Sequence, residues 1–179
     1  MKLKISGKSM ANNKVSKDLK HLMKSYILHE DMEPHVSELV GDSDRAIAIV
    51  GGAIVESALK GALLERMPNL SKKLHDDIFD SRGALSTFSS KINIAAALEI
   101  ISLATKRNAN YIRAIRNIFA HSVQPISFGT PKIRAMCELL KHSSDLNLSS
   151  ASTKELFIFG ALSTGKAIHK LSPLPECEE

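Results

Sequence analysis

The chain reads as all-α, a helical bundle of about six to seven helices, and three observations carry that reading. Apolar residues recur at three- and four-residue spacing over most of its length. The 179 residues are 44% hydrophobic but only 4% aromatic, with no Trp, so the core is aliphatic, and runs rich in Ala, Leu, Lys and Glu favour helices. One short run, Leu156 to Phe159, would suit a strand, but it lacks companions to pair with. At this length one domain of ordinary size is expected. Residues 1–13 lack periodicity and form a flexible basic arm, residues 14–172 form the helical domain, and residues 173–179 form a flexible Pro/Glu tail.

The elements follow in order. Val15, Leu19, Leu22, Met23, Tyr26 and Ile27 predict a helix over about 14–30, and Pro34 and Gly41 mark a connection over 31–42 with room for one short helical turn. Asp42, Ser43 and Asp44 offer N-cap candidates and early acid for the strongest helix. That helix runs from Arg45 to about Met67, apolar on most faces and therefore central, and Pro68 ends it. Gly51 and Gly52 in its middle each cost about 1 kcal/mol relative to Ala, which points to close approach of another helix or to a kink.

A short helix is expected over 69–79, then a turn at 80–83 and a long helix from about Ser86 to Ala104. A further helix spans Asn108 to His121, and a loop containing Pro125 follows. Thr130 and Pro131 read as N-cap and first helical residue of a helix reaching about Lys141. A Ser/Asn-rich loop over 142–152 leads to a last helix over about 153–171.

The formal net charge of +5 is uneven. Residues 1–24 carry seven lysines against Asp18, a net of +6, which leaves −1 for the remainder. A lysine-rich arm attracts nucleic acid by counterion release, and Lys14, Lys17, Lys20 and Lys24 are its nucleic-acid-binding candidates; a solvated tail has the same composition. Cys137 and Cys177 have no metal-ligand or disulfide spacing. His21, His29, His35, His75, His142 and His169 form no metal pattern, so neither metal nor cofactor is expected. Without a signal-peptide pattern or an uninterrupted apolar run of 18 residues, the chain reads as cytoplasmic, with no membrane partner. Gly160 to Ala167 nearly matches a phosphate loop, but Ala167 replaces the required hydroxyl and no parallel sheet can follow. Cys137 lies in an apolar stripe and reads as core.

The candidate chemistry lies in Arg116, Asn117 and His121. Arg offers a planar fork of donors to phosphate oxygens, and His exchanges a proton near neutral pH, so together they suit metal-free phosphodiester cleavage. Asn117 and His121 are four apart and share a helix face, whereas Arg116 and His121 are five apart and converge only in a loosened last turn or across a dimer axis. The alternative is structural: His121 at a helix C-terminus, Arg116 paired with an acid. Glu56, a carboxylate within the apolar helix, needs a partner such as Arg116, Lys60 or water at a dimer seam. Asp44, Arg45 and Lys91, at helix starts, read as caps and ion pairs.

Two blocks carry a family resemblance. Asp44 to Glu56 with Gly83 to Ile92, and Ile115 to Ser122 with Ile126 to Phe128, Thr130 and Pro131, together resemble the mannitol operon repressor family over roughly residues 40–141. The Arg-Asn-x-x-x-His element is similar to the signature of HEPN domains. The HEPN resemblance implies a dimerising helical bundle and a metal-independent endoribonuclease of the toxin or phage-defence kind. Arg116, Asn117 and His121 would be catalytic, and Glu56 and Ser122 supporting. It implies RNA as substrate, a homodimer, and an antitoxin or regulatory protein as a further partner. The repressor resemblance implies instead a non-enzymatic transcriptional regulator. The chain has no evident helix-turn-helix or basic recognition helix, so such a regulator would work through protein partners.

Overall fold

A computed structural model of the chain describes residues 39, 43–80, 82–140 and 148–170. Among these residues there are six helices and no strand: α1 (Asp44–Glu65), α2 (Lys72–Phe79), α3 (Phe88–Ala97), α4 (Leu103–His121), α5 (Pro131–Glu138) and α6 (Thr153–Lys170). The chain is an all-α bundle, as the sequence predicts. The basic arm, the helix expected over 14–30, nearly all of the 31–42 connection and the C-terminal tail lie outside the described residues.

Helix α1 is the centre, packed against α6, α4 and α3. Of the three cap candidates it uses Ser43, whose Oγ accepts the Ala46 N–H at 3.3 Å. Its length and mean hydropathy of 1.7 over 18 residues match a membrane span by composition alone, but 56% of that window is buried inside the bundle. Ile47, Val55, Leu59 and Leu63 on α1 meet Ile112, Ile115 and Phe119 of α4 and Phe157 and Leu162 of α6 in one core cluster. The Phe119, Phe128 and Phe157 rings run through it with centroids 5.0 and 5.2 Å apart.

The two central glycines mark close helix approach. A Cβ on Gly51 would stand 2.7 Å from Cε1 of Phe157, and one on Gly52 would stand 2.8 Å from Cγ of Arg116. Two helices therefore lie against α1 at one level.

The connection from α3 to α4 differs from the expected one. Helix α3 stops at Ala97 rather than near Ala104, and α4 begins at Leu103 rather than Asn108. Glu99 takes a left-handed φ of 55°. Its N–H donates to the Ala96 carbonyl at 3.2 Å, and the Ile100 N–H reaches back to Ala95 at 2.9 Å. This paired pattern closes a helix C-terminus and is usually made with Gly at the left-handed position. Ser102 then caps α4 by accepting the Thr105 N–H at 3.1 Å. The apolar spacing continues through the break because Ile100 and Ile101, which lie within it, are buried.

Leu156 to Phe159 lies inside α6 rather than in a strand, as does the Gly160 to Lys166 stretch, so neither a sheet nor a phosphate loop is built there. Gly160 instead admits Leu140, whose Cδ1 would lie 2.7 Å from an added Cβ. Helix α5 starts where expected, but the Thr130 hydroxyl does not cap it and accepts the Ser127 N–H at 3.2 Å instead. Helix α6 opens on a reciprocal cap: the Ser152 N–H bonds Glu155 Oε2 at 2.7 Å, and the Glu155 N–H bonds Ser152 Oγ at 3.2 Å.

Two stability outcomes follow from this geometry. Gly51→Ala, despite a better helix propensity, is expected to lower unfolding free energy by about 1–2 kcal/mol in urea denaturation, because the Phe157 ring is wedged against Phe128 and cannot yield. Glu99→Gly is expected to raise it by about 0.5–1 kcal/mol, since exposed Glu99 bears the strain of a left-handed backbone.

Candidate functional site

Helix α4 runs along α1 because Ile112, Ile115 and Phe119 form its buried stripe. Arg116, one position beyond Ile115, lies at the edge of that stripe. Its aliphatic stem rests on Gly52, and its head is half-buried, with 35% of the side chain exposed. Nη1 donates to Asn117 Oδ1 at 3.0 Å, and Nη2 stands 3.8 Å from Glu56 Oε2. Glu56 is one turn along α1 from Gly52, so the contact that admits the stem also aims the guanidinium at the carboxylate.

Glu56 has a second and closer cation. Lys91 Nζ donates to Glu56 Oε1 at 2.8 Å and to the Ser86 carbonyl at 3.3 Å. Lys91 is 5% exposed, a degree of burial that an ammonium tolerates only when paired. The sequence offers Arg116, Lys60 or water at a dimer seam as partners for Glu56 and puts Lys91 among caps and ion pairs. The fold joins Lys91, Glu56 and Arg116, while Lys60 lies over the Phe79 ring, its Nζ 5.3 Å from the centroid.

These groups border a cleft of about 310 Å³ lined by Glu56, Arg113, Arg116 and Asn117 together with Ser86, Thr87, Phe88 and Ser89 at the start of α3. Thr87 caps that helix, accepting the Ser90 N–H at 3.0 Å, and the Thr87 N–H returns to Ser90 Oγ at 3.3 Å. The cleft is thus walled by two guanidiniums, one carboxylate already held by a lysine, and a helix N-terminus. The sum is cationic, a setting that favours an anion.

His121 and Ser122 stand apart from this cleft. His121 ends α4, is exposed, and is not among the cleft-lining residues. Ser122 follows as the C-cap, its N–H bonded to the Ile118 carbonyl at 3.0 Å. Its carbonyl accepts from Arg45 Nη2 at 2.8 Å, and its hydroxyl donates to the Gln124 carbonyl at 3.0 Å. The loop that follows is tied to the start of α1, where Asp44 Oδ2 accepts the Phe128 N–H at 3.0 Å and Oδ1 pairs with Lys154 Nζ at 2.7 Å. Asp44 and Arg45 are therefore anchors for the α4–α5 loop. The structure brings together Arg116, Asn117 and Glu56 and leaves His121 and Ser122 one turn away. Lys14, Lys17, Lys20 and Lys24 lie outside the described residues.

Arg113 is the cleft residue that sequence reasoning missed. It precedes Arg116 by three positions and Asn117 by four, so the three share one face, and that spacing was the available signal. Cys137 is buried, and its thiol is pushed up to about 12, first by burial and then by the adjacent Glu138 carboxylate, so it is no nucleophile. Among the described residues no group of His, Cys, Asp and Glu has the arrangement to hold a metal. No protein-family model, curated protein or solved structure matches the chain.

The ion pair yields an outcome of its own. Glu56→Ala leaves the Lys91 ammonium buried against one carbonyl and is expected to cost about 3 kcal/mol of stability in denaturant titration. Replacing both partners, as Glu56→Leu with Lys91→Met, is expected to recover most of that loss.

Proposed function

We propose that the chain is a metal-independent endoribonuclease of the HEPN kind, acting on single-stranded RNA as a homodimer. The observation that carries the reading is the pairing of Arg116 with Asn117 on the wall of an open, cationic cleft, with an exposed imidazole one helical turn further on. In the reaction the ribose 2′-hydroxyl attacks the adjacent phosphorus, its proton passes to a base, and the 5′-oxygen leaves with a proton from an acid. Arg116 stabilises the charge that builds on the phosphate oxygens. Asn117 fixes the guanidinium, and His121 is the proton carrier.

His121 lies about 140° round the helix from Arg116, at about 100° per residue. The imidazole that serves a given cleft therefore comes from a second copy placed across a two-fold axis. The Lys-rich arm, in this reading, raises the local concentration of RNA.

The test is cleavage of single-stranded RNA by the purified chain in excess chelator. His121→Ala is expected to slow it by at least about 100-fold with an unchanged melting temperature, and DNA of the same sequence stays intact for want of the 2′-hydroxyl. A rate unaffected by His121→Ala removes the enzyme reading.

A second reading has an observation in its favour. Arg116 already bonds Asn117 and faces Glu56, as a structural tie between α4 and α1 would. The chain would then be a non-enzymatic regulator of the mannitol-repressor kind acting through a protein partner. In that case no RNA is cut, and Arg116→Ala lowers stability instead.

A further inference from the structure

Arg113 belongs to no motif of the sequence, yet it lines the cleft beside Arg116. Its Nε is buried and has no hydrogen-bond partner, and among the described residues its guanidinium enters no ion pair. The side chain as a whole is only partly buried, and no protein acceptor among the described residues engages its terminal nitrogens, so they remain free to donate to a ligand in the cleft.

The first turn of α3 adds donors to the same space. Thr87 takes up the Ser90 N–H and the Lys91 N–H, which leaves the N–H groups of Phe88 and Ser89 without an acceptor among the described residues. Both residues line the cleft. At a helix start such N–H groups point out of the end of the helix and carry its positive pole. Lys91 and Glu56 neutralise one another at 2.8 Å, so the charge left to act on a ligand is that of the two guanidiniums. Donors arriving from two arginines and a helix end suit a tetrahedral oxyanion better than a planar carboxylate. A volume of about 310 Å³ has room for that group with part of a sugar attached.

We infer that Arg113, Arg116 and the first turn of α3 form a phosphate-binding subsite. Its ligand as a phosphate of single-stranded RNA rests on the function proposed above; the affinity for phosphate does not. Arg113 grips a phosphate that positions the chain, while Arg116 is shared with the reacting group.

The test is a titration of the ¹⁵N-labelled full chain with inorganic phosphate at constant ionic strength, with chloride as control, alongside cleavage assays. Saturable shifts of the Phe88 and Ser89 amides are expected. Arg113→Gln should weaken binding by at least about ten-fold with its melting temperature retained, and Arg113→Lys should keep part of it. In the cleavage assay Arg113→Gln should raise KM for RNA by a similar factor. Shifts no larger than with chloride, or equal in Arg113→Gln, overturn the subsite even if RNA is cut. Saturable phosphate binding by a chain that cuts no RNA upholds the subsite and removes the nuclease reading.

Discussion

The bundle depends on the absence of side chains at two adjacent positions of α1. Gly51 and Gly52 lie about 100° apart round the helix, one facing Phe157 of α6 and the other facing Arg116 of α4. Any larger pair would hold one of these helices off the central one. Two glycines within a 22-residue helix forgo about 2 kcal/mol of helix propensity, and that loss is offset only if the close approach gains more by packing. The gain is visible in the Phe119, Phe128 and Phe157 rings, which fill the space between α4, the α4–α5 loop and α6.

The same contact sets the electrostatics. With its stem pressed on Gly52, Arg116 projects along α1 toward Glu56, and Glu56 in turn holds Lys91 at 2.8 Å. One carboxylate thus ties together α1, α3 and α4. Ion pairs of this burial contribute little net stability, because desolvation offsets most of the attraction, but they penalise any arrangement in which a charge is left alone. Here that penalty holds the start of α3 beside α4, and the cleft lies between them. A pair of apolar residues would pack the helices equally well without fixing where the α3 N-terminus points.

How much of this was legible in the sequence divides along physical lines. Helices whose buried faces are continuous were plain: α1, α2, α5 and α6 begin and end within a few residues of their expected bounds. The α3–α4 boundary was hidden because a non-Gly residue, Glu99, takes the left-handed turn, and because the residues beside it stay apolar. Ser102 and Thr105 were the visible trace of the new helix start. The Ser152–Glu155 cap was likewise readable as a Ser-x-x-Glu pattern. At the site, Arg116, Asn117 and Glu56 were marked by being polar among apolar neighbours. The partner of Glu56 was not, since Lys91 is 35 residues away and only tertiary packing brings it in. Arg113 escaped because one more arginine on a half-exposed helix face looks like surface.

The five-residue spacing between Arg116 and His121 separates two properties that a shorter spacing would have merged. At a four-residue spacing both side chains would project from one face, and one chain could bind and activate a phosphodiester. At five they diverge by about 140°, and no bend in α4 corrects this, since the helix is regular through His121 and closes on a standard Ser122 N–H bond to Ile118. Anion binding is complete within one chain, from Arg113, Arg116 and the start of α3. Proton transfer, under the reading proposed, needs a second. A protein built this way would bind its ligand at any concentration above the dissociation constant but react only where two copies meet, so that assembly rather than affinity sets when it acts.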